Sequence, residues 1–257
     1  MTDPKKHLML YALILVIVLA AASLSAYVSR DIPVPVVPSL GRAGTFAVLG
    51  GSTVTSTGAT RIAGDVGVSS PGVSITGFPP ATIVGGAQHV GDSSANQAQR
   101  DAGKAYAALA ALACGTPLTG QNLGGKHLVP GVYCFTSSAR VAGQLVLNGR
   151  ENANAVWVFQ IGSTLTTAPS SSVVMGNSGR AGHVYWQVGS SATLDTATAF
   201  AGNILAAASI TMNADASLAG RALARAAVTL IKNNIKAVPY ETKDAPGAAA
   251  PAAHPKS

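Results

Sequence analysis

The last third of the chain alternates small polar and apolar residues in a pattern that repeats every 18 residues. Residues 183–200 read HVYWQVGSSATLDTATAF, residues 201–218 read AGNILAAASITMNADASL, and residues 219–236 read AGRALARAAVTLIKNNIK. Gly202 falls above Gly220 and Leu205 above Leu223. The triplets Ser191-Ala192-Thr193, Ser209-Ile210-Thr211 and Ala227-Val228-Thr229 share one column. Upstream, residues 160–166 match residues 187–193 at an offset of 27, the extra residues fitting a loop around 176–182. Gly51-Ser52-Thr53-Val54-Thr55 gives a further copy near the start. A short period rich in β-branched residues predicts a solenoid whose coils are a few short strands joined by tight turns.

Successive residues of a strand face opposite sides. The triplet centres Val54, Leu165, Ala192, Ile210 and Val228 are apolar and therefore predicted to face inward. Their neighbours form two outward columns. One is Thr53, Thr164, Ser191, Ser209 and Ala227; the other is Thr55, Thr166, Thr193, Thr211 and Thr229, threonine in every copy. One segment departs from the repeat. After Asp92-Ser93-Ser94, a suitable N-cap region, Ala95, Ala98, Ala102, Ala105, Tyr106, Leu109 and Leu112 recur at helical spacing, predicting a helix over about 93–113. Arg100, Asp101 and Lys104 would face solvent, and the apolar stripe would lie along one side of the solenoid.

The ends read differently. Leu8 through Val28 carries no charge and comes after Lys5, Lys6 and His7. It predicts an N-terminal hydrophobic helix over residues 1–30, either a cleaved signal peptide or a membrane anchor. Either role exports the remainder of the chain, leaving the protein secreted or held at the outer side of the cytoplasmic membrane. Residues 31–42 are a Pro-rich linker, residues 43–240 the folded solenoid, and residues 241–257 an Ala/Pro tail with too little apolar bulk to fold. In an oxidising compartment Cys114 and Cys134 most simply pair, free structural thiols being the alternative. With His127 they supply too few ligands for a metal.

Charge then narrows the function. Charged residues are 11% of the chain and aromatics 5%, with 17 basic and 10 acidic side chains giving a net charge of +7. The basic residues are scattered and lack interleaved aromatics, which excludes a nucleic-acid groove. Enzymes built on β-solenoids need clustered carboxylates. Here the acids of the folded part, Asp65, Asp92, Asp101, Glu151, Asp195 and Asp215, never share a repeat column, and Asp65 reads as a turn residue. His89, His127 and His183 stand apart, so neither an enzyme nor a cofactor is expected. Trp157 and Trp186 lie on apolar strands and read as core. Arg221 and Arg225, on one strand, read as a solvated or helix-facing pair.

Several stretches stand in a recognisable order: Phe46-Ala47-Val48-Leu49, Ile62-Ala63-Gly64-Asp65-Val66-Gly67-Val68-Ser69, Ile75-Thr76-Gly77-Phe78, Leu128-Val129-Pro130-Gly131-Val132-Tyr133, Val158-Phe159-Gln160-Ile161, Gly202-Asn203-Ile204-Leu205-Ala206 and Gly220-Arg221-Ala222-Leu223-Ala224-Arg225. Over about residues 41–236 the chain resembles the microbial ice-binding-like family. The resemblance implies a mainly β fold: a right-handed discontinuous β-solenoid of triangular section, one long α-helix alongside, and an early segment seated between coils formed later. It also implies adsorption to an ice crystal surface through a flat face, and a monomer is expected. Family members carry a loose Thr-Ala/Gly-x-Thr/Asn motif, which Thr57-Gly58-Ala59-Thr60 fits fully. Thr167-Ala168-Pro169-Ser170 and Thr196-Ala197-Thr198-Ala199 fit it in part, making Thr57, Thr60, Thr196 and Thr198 secondary candidates. Asn213-Ala214-Asp215-Ala216 departs, and Asp215 would charge the face if it pointed outward.

Such columns suit ice. Outward residues lie about 6.7 Å apart along a strand and about 4.8 Å apart between coils. Threonine is stiff at χ1, so a ladder of it offers hydroxyls and methyls on a nearly regular grid. Threonine also favours strands and pairs with itself across them. The rival function is therefore a cell-surface adhesion or structural module without strong ice activity.

Overall fold

The computed structural model describes residues 38–71 and 74–239. The expected hydrophobic helix of Leu8 through Val28, the first part of the linker and the Ala/Pro tail lie outside the described residues. Among the described residues, no helix is long and apolar enough to cross a membrane. The fold begins inside the expected linker, because Leu40 is fully buried and residues Gly41–Thr45 form a 3-10 turn.

Coils of short strands stack as the repeat predicts. The first holds β1 (Phe46–Gly50), β2 (Thr53–Thr57) and β3 (Arg61–Ala63). The second holds β4 (Asp65–Val68), β5 (Ser74–Thr76) and β6 (Thr82–Val84), and β7 (Gln88–Val90) comes next. The helix α1 (Ser93–Ala110) then carries the chain to β8 (Thr116–Pro117) and β9 (His127–Leu128). From there the coils resume with β10 (Gly131–Phe135), β11 (Ala139–Val141) and β12 (Gln144–Asn148), then β13 (Trp157–Ile161), β14 (Leu165–Thr167) and β15 (Ser172–Gly176). The 18-residue repeats supply β16 (Val184–Val188), β17 (Ala192–Leu194), β18 (Ala199–Ala206), β19 (Ile210–Met212), β20 (Ser217–Ala224), β21 (Ala227–Ile231) and β22 (Asn234–Lys236).

The pairings are parallel and give three faces. One is a seven-stranded sheet in the order β11-β14-β17-β19-β21-β2-β5; the other two are joined in a fifteen-stranded sheet. They are joined because β18 and β20 each run around a corner. Ala199 pairs with Ser172 of one face, and Asn203 with Tyr185 of the next. The bend falls at Gly202, whose φ of 119° suits glycine, and at Gly220, where a Cβ would sit 1.9 Å from the Gly202 carbonyl oxygen. The early coil is inserted out of order, as the resemblance implies. β1 lies between β20 and β4, β2 between β21 and β5, and β3 between β22 and β6.

Apolar side chains at alternate strand positions fill the interior. Tyr133, Phe159 and Trp186 occupy one register column, the Phe159 and Trp186 rings stacking 3.9 Å apart. Both indole N–H groups are buried and satisfied, Trp157 donating to the Leu128 carbonyl and Trp186 to that of Ala201. The helix is capped by Asp92, which accepts from the Ala95 N–H, and lays Ala95, Ala98, Ala102, Ala105 and Leu109 on one outer face. That face offers Leu49, Val158, Tyr185, Leu205 and Leu223. The helix stops at Ala110 rather than near 113, because the Gln160 amide donates to the Leu109 and Leu112 carbonyls and so closes its end. Cys114 and Cys134 are joined in a disulfide just beyond. Asp101 is tied down rather than free in solvent, accepting from the Arg42 N–H and the Gln97 amide.

Arg221 and Arg225 do not form a pair. Arg225 is exposed and lies over the Tyr106 ring of the helix. Arg221 is buried and donates to the carbonyls of Gly44 and Val238 and to Asn203 Oδ1. One guanidinium thus joins the N-terminal turn, two repeat coils and the end of the described chain. Replacing Arg221 with methionine should lower unfolding stability by about 3 kcal/mol, since several charge-assisted hydrogen bonds go at once and buried carbonyls lose their donor. Arg225→Met should cost only about 0.5–1 kcal/mol for its exposed ring contact. Denaturant titration of both variants tests the contrast. Reducing the disulfide, whose cysteines stand 20 residues apart, should cost about 3 kcal/mol by the same measurement.

Candidate functional site

The seven-stranded face gathers the expected columns. Its register runs Arg140↔Thr166↔Thr193↔Thr211↔Thr229↔Thr55↔Thr76 with no shift at any step. Thr55, Thr166, Thr193, Thr211 and Thr229 therefore stand side by side. Thr55 takes its place after Thr229 despite lying far earlier in the chain. The companion column holds Thr164, Ser191, Ser209, Ala227 and Thr53 in the same order, bounded by Ser138 and Ser74. The triplet centres beneath are buried, with Val54, Leu165, Ile210 and Val228 at 0% exposure. The residues of both columns are partly or fully exposed. The helix packs on a different face and covers none of them.

The two columns differ in what their hydroxyls do. In the companion column Ser138 and Thr164 bond each other at 2.8 Å, Ser191 Oγ accepts from the Ser209 N–H, and Ser209 Oγ from the Ala227 N–H. In the threonine column, no hydroxyl of Thr55, Thr76, Thr166, Thr193, Thr211 or Thr229 has a protein hydrogen-bond partner among the described residues. Those hydroxyls face water with fixed spacing and stiff rotamers. Charge is absent from the interior of both columns and enters only at the end, with Arg140.

Sequence reading missed the outermost members, Ser74, Thr76, Ser138 and Arg140. The signal was present: Ser74-Ile75-Thr76 and Ser138-Ala139-Arg140 each place an apolar residue between two outward ones. Both fall outside the 18-residue spacing, so only pairing reveals them.

Two secondary candidates face the wrong way. Thr57 and Thr196 are exposed, but Thr60 and Thr198 are each only 1% exposed and line a corner of the solenoid. Thr198 Oγ1 lies 2.8 Å from Thr167 Oγ1, and Thr60 Oγ1 accepts from the Asn233 N–H. The Asn233 amide in turn donates to the carbonyls of Asn213 and Ala216. A turn precedes each corner. Gly58, Ala197, Asp215 and Lys232 take positive φ there; the buried Thr198, Ala216 and Asn233 follow directly on the last three, and Thr60 comes two residues after Gly58. Asp215 is accordingly at a corner turn and outside both columns.

A third outward position runs beside the threonines. Asp195 lies two residues beyond Thr193, and Asn213 two beyond Thr211. Asp195 Oδ1 accepts from the Thr196 N–H at 2.7 Å and from the Asn213 amide at 3.1 Å. The Thr196 N–H, then the Asn213 amide, hold its carboxyl below the usual carboxylate range.

The histidines are less isolated than their sequence positions imply. His89 Nδ1 lies 2.7 Å from Asp92 and its Nε2 3.9 Å from Asp65. Asp92 is held low chiefly by the Ala95 N–H and then by His89. This cluster secures the start of the helix. Among the described residues, no group of three or more His, Cys, Asp or Glu side chains is arranged to hold a metal ion.

The described residues form a β-solenoid with one open, regularly spaced hydroxyl face, and comparison with known proteins shows its family. Residues 48–236 match the family model described as ice-binding-like, and the chain belongs to that family. An ice-binding protein of a Nostoc species is 51% identical over 196 residues, covering 76% of this chain and 71% of its own. The crystal structure of an ice-binding protein from an Antarctic biological consortium has 44% identity and a TM-score of 0.77, over 80% of this chain and 93% of its own. That of the Antarctic ascomycete Antarctomyces psychrotrophicus has 41% identity and a TM-score of 0.76, over 78% and 98%.

The corner hydroxyls generate a prediction of their own. Thr198→Val should lower stability by about 1–3 kcal/mol, because the buried Thr167–Thr198 hydroxyl pair is lost and Thr167 keeps only the Asp195 N–H as partner. Thr196→Val, on the exposed side of the same turn, should change it by less than about 0.5 kcal/mol. Thermal melts of the two variants separate an inward role from an outward one.

Proposed function

We propose that this protein adsorbs to ice through the seven-stranded face, with Thr55, Thr76, Thr166, Thr193, Thr211 and Thr229 as the principal contact line. Thr53, Thr164, Ser191, Ser209 and Ala227 form the second line, and Thr57 and Thr196 flank them. The observation that carries the reading is the threonine column itself, whose hydroxyls are unclaimed by the protein and are spaced by the coil rise.

The chemistry is cooperative rather than catalytic. A hydroxyl can anchor one lattice water, worth about 0.5–1.5 kcal/mol net, while the methyl beside it favours ordered water across the gap. Rows about 4.8 Å apart and columns about 6.7 Å apart repeat this demand over the sheet. A rigid array loses little entropy on docking, so weak contacts add up. A charge inside the array would keep its own hydration shell, and none is there.

The protein acts outside the cytoplasm as a monomer. The basic-then-apolar N-terminal segment and the disulfide agree with export. Leu8 through Val28 is either removed or retained as an anchor, which is read by finding the protein in culture medium or with membranes.

Thr211→Tyr or Thr229→Tyr should remove most thermal hysteresis and ice-recrystallisation inhibition without moving the melting temperature. Ala227→Tyr should do the same from the companion column. Ala219→Tyr, on another exposed face, should leave activity intact. An inactive wild-type protein would overturn the reading, and full activity in all three variants of the face would show that another face binds.

A further inference from the structure

The threonine face ends abruptly on one side, and its boundary has a specific cause. Beside the threonine column, at the edge of the sheet, stand Thr57 and Ile231, which pair with each other, and Ala168, Asp195 and Asn213, each one residue past the end of β14, β17 and β19. The corner turns begin just beyond, with positive φ at Ala197 and Asp215. These edge positions carry one carboxylate, one amide and one bulky aliphatic group where the neighbouring column is uniform.

We infer that Asp195 limits the area of the ice-contact face, acting as a built-in negative determinant of ice affinity. This rests on the ice-adsorption reading of the same sheet. Asp195 is partly exposed and lies two residues beyond Thr193, one past the end of β17. It cannot swing clear, because Oδ1 is held by the Thr196 N–H and the Asn213 amide. A fixed negative charge orients nearby water around itself, and stripping that shell is costly. Ice can therefore match the two regular columns but must stop, or bridge a liquid-like gap, at the middle of the third. One N–H of the Asn213 amide is spent on Asp195 and is not offered to the lattice.

The test compares the full chain with its Asp195→Asn, Asp195→Thr and Asp195→Thr/Asn213→Thr variants by thermal hysteresis at equal molar concentration, with thermal melts alongside. Asp195→Asn retains an acceptor oxygen for Thr196 and removes only the charge, so it folds even if the threonine variants are strained. Asp195→Asn should raise hysteresis and the double variant should raise it further. Because Ala168 and Ile231 remain, the gain should stay below about 1.5-fold, the value a complete third column would give if activity scales with contact area. Asn213→Asp should lower it. An active wild-type protein whose Asp195→Asn variant melts normally and gains nothing overturns this inference while leaving the ice reading intact. An inactive wild-type protein overturns both.

Discussion

Unshifted parallel register along the seven-stranded face is the constraint on which everything else rests. A threonine every 18 residues makes a column only if each coil stacks on the last without slipping, since a slip of one residue would turn the whole set inward. The pairings from Arg140 to Thr76 keep step throughout. The fifteen-stranded sheet does not need this and does not keep it: between Phe46 and Val48 its register shifts. The out-of-order coil is the point of risk, because β1, β2 and β3 must dock on strands made much later. Arg221 secures it, binding the Gly44 carbonyl from within the last repeat.

The three faces divide the work by what their outward positions carry. Where those positions are Leu49, Val158, Tyr185, Leu205 and Leu223, exposure would be unfavourable, and the alanine-lined side of the helix covers them. Small helix residues let the two surfaces approach closely. A second face carries Arg61 and Lys236 with exposed Val84 and Val174, a mixed surface with no regular spacing. The third is threonine, serine and alanine along its two regular columns, with Arg140 at one end and Asp195 at the edge. Covering one side and charging another leave a single face both open and regular.

The corners obey a different rule. Residues entering a tight turn point into a narrow interior where a polar group must find a partner. Thr198 meets Thr167, Thr60 meets Asn233, and Ser171 accepts from the Gly143 N–H. A motif of threonines around a turn therefore mixes two roles, with one threonine outside and its neighbour two or three residues on holding the corner shut.

The sequence by itself determined the solenoid, the two outward columns, the helix and the burial of the tryptophans. Each arises from a local period: two residues for strand faces, about 3.6 for the helix, 18 for the coil. The tertiary structure decided what no local period encodes. It set the rank of Thr55 beside Thr229, the extension to Thr76, the burial of Arg221, the inward turn of Thr60 and Thr198, and the meeting of His89 with Asp65 and Asp92. In each case the outcome depends on a partner brought near by stacking, or on a backbone angle at a corner. A hydroxyl at the end of a strand has the same identity whether the next turn sends it to water or to the core.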